Sequence, residues 1–202
     1  MIYFFDIDGT LVNTDAKVRV TTDTGVSFGL TTEDMRNLPL DDLLGSGDIS
    51  VDFSEFNSFD KLLSGEKTPI WEVLDMIHDA DPSKIHILTA RGNREGIRLW
   101  LALNGINNRP ERIHCFGEPV MKPEIEDPTQ YPWEWFDETL FSSVHDWKAA
   151  WVAKIGECFN EPVTVYEDDS RNIESIWNAV RSSGVVGSKV VDVLNHKEYV
   201  VK

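Results

Sequence analysis

The sequence predicts an α/β protein, Rossmann-like, with a mainly parallel sheet and helices on both faces. Three observations predict it. Apolar runs at residues 2–5, 85–88 and 163–166 each stop abruptly at polar residues, as buried strands do when they deliver side chains to the C-terminal edge of a sheet. Between the runs lie stretches with apolar residues at helical spacing, such as Ile70, Val73, Leu74 and Ile77. The two patterns alternate, which implies right-handed βαβ units. The 202 residues, 41% hydrophobic and 27% charged, carry no internal repeat and suit one domain over 1–202.

The first strand runs straight into Asp6-Ile7-Asp8-Gly9-Thr10. From Lys17 to Phe28, two short strands around Asp23-Thr24-Gly25 read as a hairpin able to act as a flap. Short helices are expected after Thr31 or Thr32 and after Ser54, separated by Gly45-Ser46-Gly47. Residues 13–67 thus read as a flap or small cap insertion, and their modest size predicts a fairly open site.

Thr68 as N-cap and Pro69 at the first helical position start the next helix. The second strand, Ile85 to Leu88, ends in Thr89-Ala90-Arg91-Gly92, and a helix with Ile97, Trp100 and Leu101 runs to Gly105. Arg112 to Phe116 is a third strand, followed by a Pro-rich, acidic surface excursion over 117–143. Val144, Trp147, Trp151 and Ile155 mark a further helix; Val163 to Tyr166 is a strand ending in Glu167-Asp168-Asp169-Ser170, and Ile173, Ile176, Trp177 and Val180 continue as a helix. One or two strands around Asn195-His196-Lys197 close the chain.

A net charge of −16 makes the average surface repel phosphodiester backbones, so bulk nucleic-acid binding is not expected. Cys115 and Cys158 sit in apolar surroundings without metal-ligand spacing and read as two reduced core thiols of a cytoplasmic protein. The apolar N-terminus stops at Asp6, too short for a signal peptide or a membrane span. Trp71, Trp100, Trp147, Trp151 and Trp177 fall in amphipathic helices and read as core, whereas Trp133 and Trp135 either pack a loop or line a pocket. His86 and His114 read as structural.

Two aspartates, two residues apart where a strand breaks into a turn, can bring both carboxylates to one phosphate. Gly9 permits the sharp reversal this needs. Further carboxylates at the same sheet edge, Glu167, Asp168 and Asp169, would repel them unless a cation were present, and an oxygen-only site suits Mg²⁺ better than zinc.

Asp6-Ile7-Asp8-Gly9-Thr10, then Thr89 closing Ile87-Leu88-Thr89, then a lysine, then Glu167-Asp168-Asp169, resemble in order the four motifs of the haloacid dehalogenase superfamily of phosphatases and phosphotransferases. The resemblance spans Asp6 to Asp169, but residues 12–67 and 117–143 carry no family mark. It implies that Asp6 is a nucleophile that becomes phosphorylated and that Asp8 is the acid/base. It also implies that Thr89 and nearby backbone N–H groups hold the phosphoryl oxygens, with Thr10 and Ala90 at the substrate; the Arg91 fork suits bidentate contact with a substrate phosphate, the alternative being a solvated surface arginine. Lys148, on the helix before the last motif, and Lys122, before Pro123, compete for the charge-neutralising lysine; Lys148 is favoured. Mg²⁺ would be held by Asp6, the Asp8 carbonyl and Asp168, with Asp169 and Glu167 either supporting those ligands from behind or acting through water.

The expected activity is hydrolysis of a phosphate monoester: a nucleotide, a metabolite or a 3′-phosphorylated nucleic-acid end. Leu88-Thr89-Ala90-Arg91 with a late lysine-bearing helix is similar to the polynucleotide 3′-phosphatase and RNA-repair-like branch, while the acidic composition opposes that assignment. A phosphotransferase and a non-catalytic scaffold of the same fold are the alternatives.

Overall fold

The computed structural model describes residues 1–37, 49–119, 141 and 143–202. In chain order the elements begin with β1 (Ile2–Phe5), β2 (Val12–Asn13), β3 (Val18–Thr22), β4 (Ser27–Leu30), α1 (Thr32–Asn37) and β5 (Ile49–Asp52). Then come α2 (Phe59–Ser64), β6 (Glu66–Lys67), α3 (Ile70–Ala80), β7 (Ile85–Thr89), α4 (Arg94–Leu103) and β8 (Ile113–Cys115). The last are α5 (Val144–Phe159), β9 (Val163–Glu167), α6 (Ser170–Ser183), β10 (Lys189–Asp192) and β11 (Lys197–Val200).

Six strands form the main sheet in the order β11-β10-β9-β1-β7-β8, all parallel except the closing β10–β11 pair. The expected mainly parallel sheet is therefore present. Alternation along β1 feeds both faces: Ile2 and Phe4 pack with Trp147, Trp151 and Val165 under α5 and α6, while Phe5 packs with Trp71, Leu74 and Ile97 under α3 and α4. A central strand buried on both sides accounts for the unbroken apolar run at the N-terminus.

The hairpin expected over Lys17 to Phe28 is β3 and β4, turning through Gly25. A third strand not foreseen, β5, pairs antiparallel with β3 and completes a small separate sheet in the order β4-β3-β5. Its inner face, Val18, Val20 and Leu30 with Met35, Ile49, Val51 and Phe56, is a satellite core, and its outer face carries Arg19, Thr21 and Asp52. The two helices expected in the insertion are α1 and α2, the second starting at Phe59, later than Ser54 suggested. Gly45 to Gly47, Lys122, Trp133, Trp135 and most of 117–143 lie outside the described residues.

At the start of α3 the Thr68 hydroxyl accepts the Ile70 N–H at 3.2 Å, as the Thr-Pro pair predicts. Trp71, Trp100, Trp147 and Trp151 are core residues; Trp177 is only half-buried, against Tyr199. His86 and His114 are buried side by side, Nδ1 of the first 3.0 Å from Nε2 of the second. Both thiols are free, and Cys115 is buried, but Cys158 is exposed and not in the core as its apolar neighbours suggested. No helix among the described residues is long and apolar enough to cross a membrane.

Candidate active site at the sheet edge

Strand order decides where the site lies. The chain builds β1, β7 and β8 outward on one side, then crosses to lay β9 on the other side of β1, and such a reversal opens a crevice at the C-terminal strand ends. Asp6 follows β1, Thr89 closes β7, and Glu167 closes β9 with Asp168 and Asp169 just beyond. Residues distant in sequence are thus brought to one rim.

The reversal after β1 is tight. Leu11 and Val12 both donate backbone N–H groups to the Ile7 carbonyl, and Gly9 donates to Val12. Gly9 has φ +79°, and a Cβ there would run into the Asp168 carboxylate and the Arg36 guanidinium. Only glycine meets both demands.

Lys148 reaches this rim from the first turns of α5, whose N-terminus is capped by the Ser143 hydroxyl accepting the Asp146 N–H. Its side chain is buried, with Nζ 2.7 Å from Asp6 Oδ1 and 2.7 Å from Glu167 Oε2. Burial pushes the ammonium toward neutrality, but Asp6 and Glu167 outweigh it and hold its pKa above that of an ordinary lysine. The other Glu167 oxygen accepts the N–H groups of Asp168 and Asp169 and the Asn172 amide at 3.1–3.2 Å. Glu167 therefore fixes Lys148 and the turn carrying Asp168 directly, which matches a role supporting the ligands from behind.

Burial, then repulsion from Glu167, raises Asp6 to about 7 in spite of Lys148, and Asp8 adds to the rise. Burial, then Glu167 and Asp6, raises Asp168 to about 9 against the pull of Arg36 and Lys148. Asp6, Glu167 and Asp168 each offer an oxygen within 4.8 Å of the others. Three buried carboxylates with more negative charge than their cations cancel, all donors being oxygen, fit a hard divalent cation. Glu167 has both oxygens in hydrogen bonds and Asp168 is paired with Arg36, so Asp6 and Asp168 would hold an ion with Arg36 turned aside.

Asp169 lines the cavity, but its carboxylate caps α6 through the Arg171 N–H and takes the Arg171 guanidinium at 2.7 Å. Although burial, the largest influence, would raise its pKa, these hydrogen bonds bring it below the usual range. Thr89 is buried and its hydroxyl accepts the Arg91 N–H at 3.2 Å. Thr10 is buried as well, its hydroxyl 3.4 Å from Asp168 Oδ1, while Ala90 is exposed at the cavity.

Arg91 was expected to point its fork at a substrate phosphate. Instead it is 1% exposed, and the fork is closed on Asp8, with Nε 2.8 Å from Oδ2 and Nη2 2.5 Å from Oδ1. Its remaining nitrogen donates to the Phe56 carbonyl of the insertion. Arg36, on α1, pairs with Asp168 through Nη2 while its buried Nε has no partner among the described residues. Sequence reasoning missed Arg36, since nothing local distinguishes it from a solvated arginine.

These groups surround a cavity of about 610 Å³. The insertion walls one side with Val18, Met35, Val51 and Phe56. Comparison of the chain with family models, with curated proteins and with solved structures finds no match.

Proposed function

We propose that this chain is a magnesium-dependent phosphohydrolase of the haloacid dehalogenase type, hydrolysing phosphate monoesters through an aspartyl-phosphate. The observation that carries the reading is the Lys148 ammonium locked between Asp6 and Glu167, at the rim where Asp8, Thr89 and Asp168 also converge. A structural ion pair needs no second and third carboxylate beside it; a phosphoryl-transfer site needs all of them.

Lys148 holds Oδ1 of Asp6, leaving Oδ2 to attack phosphorus in line with the ester oxygen. As the new O–P bond forms and the ester P–O bond breaks, Asp8 gives its proton to the leaving alkoxide. Asp8 then takes a proton from water, whose oxygen attacks the same phosphorus, and the Asp6–phosphate bond breaks to release inorganic phosphate. The Arg91 fork occupies both Asp8 oxygens, so one arm must open for Asp8 to carry the proton it gives, while the other keeps the carboxyl oriented. Ala90, next after Thr89, lines the cavity where the phosphoryl oxygens would lie, while the Thr89 hydroxyl holds the Arg91 N–H and so shapes the loop, and Lys148 offsets the phosphoryl charge. Mg²⁺, held by Asp6 and Asp168, would supply further charge compensation at those oxygens. Two free thiols agree with a reducing cytoplasm as the setting.

The test is turnover of p-nitrophenyl phosphate with and without Mg²⁺. Wild-type activity should require the ion, and Asp6→Asn should lower kcat by about a thousandfold or more, as loss of a covalent nucleophile does. Undiminished turnover by Asp6→Asn would remove the assignment.

A further inference from the structure

We propose, resting on the phosphohydrolase reading, that the substrate is the monophosphate ester of an alcohol bearing an apolar, flat ring, aryl or nucleobase in size. The inference comes from the part of the cavity that the chemistry does not use. A phosphoryl group fills only a small part of about 610 Å³, a volume within the range that encloses whole small-molecule ligands. The leaving group must occupy the rest.

That remainder is apolar. Its walls are Val18, Met35, Val51, Phe53 and Phe56 from the insertion and Phe116 from the loop after β8. Phe56 lies against the Arg91 guanidinium at 5.4 Å, and Phe116 packs edge-on to Trp147 at 5.5 Å, its N–H bonded to the Thr89 carbonyl. Two rings are therefore fixed beside the reacting groups, while Phe53 is 44% exposed and free to meet a ligand. Phenyl faces prefer offset or edge-on contact with another ring.

Polar leaving groups find little here. The Asn57 oxygen, the Ser143 hydroxyl and the Asn172 amide nitrogen are already bonded, to Gly92, Asp146 and Glu167 respectively, so the polar lining, which also includes Thr32 and His145, is small beside the apolar one. A hydroxyl-rich sugar phosphate would lose water without regaining hydrogen bonds. A second phosphoryl group fares no better: among the described lining residues Lys148, Arg36 and Arg171 are each paired with a carboxylate. This disfavours bisphosphates and phosphodiester chains.

The experiment compares 1-naphthyl phosphate and benzyl phosphate with glycerol phosphate and glucose 6-phosphate. It measures kcat/KM for the wild type and Phe53→Ala, and calorimetric binding to Asp6→Asn with Mg²⁺ present. The ring-bearing esters should be favoured at least tenfold in both measurements, and Phe53→Ala should shrink that preference at least fivefold. Equal handling of the two classes, or a preference that survives Phe53→Ala intact, overturns the inference while leaving the phosphohydrolase reading in place. Tight ring-selective binding without turnover of any ester would sink the hydrolase and keep the ring-binding chamber; no binding of either class would end both.

Discussion

Lys148 is the residue on which the charge balance of the rim turns. Its ammonium sits between two buried carboxylates at 2.7 Å each, and removing one partner of a buried ionic cluster leaves the others uncompensated, a loss of about 3–5 kcal/mol. Lys148→Met should therefore lower the urea-unfolding free energy by about that amount, and an unchanged midpoint would show that the cluster is solvated. This lysine was legible in the sequence because its helix leads directly into the strand that ends at Glu167. Arg36 and the Arg91–Asp8 pair were not, since both depend on how the insertion folds back over the sheet edge, and no local pattern encodes that return.

At the scale of elements, the β4-β3-β5 part of the insertion is a small sheet with its own core, whereas α2 packs Leu62 into the main core, and hydrogen bonds tie the residues between them to the sheet edge. The Asn57 carboxamide oxygen accepts the Gly92 N–H at 2.8 Å, its carbonyl accepts the Asn93 amide at 2.7 Å, and Phe56 is tied to Arg91. Val20, 2% exposed, is central to the small sheet's core. Val20→Ala should cost about 1–3 kcal/mol locally, and hydrogen exchange should quicken in β3, β4 and β5 while β1, β7 and β9 stay protected. Uniform loss of protection would mean that the two sheets unfold as one unit. The β3–β4 hairpin was readable from Asp23-Thr24-Gly25 and its flanking β-branched residues. β5 was not: Ile49-Ser50-Val51-Asp52 is a four-residue strand whose identity comes from its partner, β3.

For the whole molecule, stability against pH follows from four buried groups. Burial depresses His86 to about 3 and holds His114 well below its ordinary value. Both histidines therefore stabilise the fold fully above about pH 6.5, and that contribution is lost as pH falls from there toward 3. Asp6 and Asp168 act in the opposite sense, since their folded values, about 7 and about 9, exceed the 3.8 of a free aspartate. The fold binds these protons more tightly than the unfolded chain, so stability falls as pH rises from about 4 through 9.

The two trends offset one another in the acidic range, leaving a decline from pH 7 to 9 where only Asp168 and the upper part of the Asp6 titration remain. Urea midpoints without divalent cation should drop across that interval. Saturating Mg²⁺ should raise them and flatten the slope, because a ligand that binds only the folded chain stabilises it by mass action. A slope unaffected by Mg²⁺ would show that Asp6 and Asp168 hold no ion. The alternation that predicted the α/β class was legible because each strand carries its own apolar run; which strands become neighbours was not, being a property of the assembled sheet.

The central position of β1 has a consequence for biosynthesis. Ile2 and its neighbours find their partners in β7, more than eighty residues later, and in β9, more than one hundred and fifty residues later. A nascent chain thus carries Phe4 and Phe5 without their full surroundings until β9 has been made, and its loop-closing search is correspondingly long. Ile2 to Phe5 are thus among the last residues of the sheet to gain their surroundings, so a chain interrupted before β9 presents an uncovered apolar run to chaperones and lacks the rim where Asp6 meets Glu167 and Asp168.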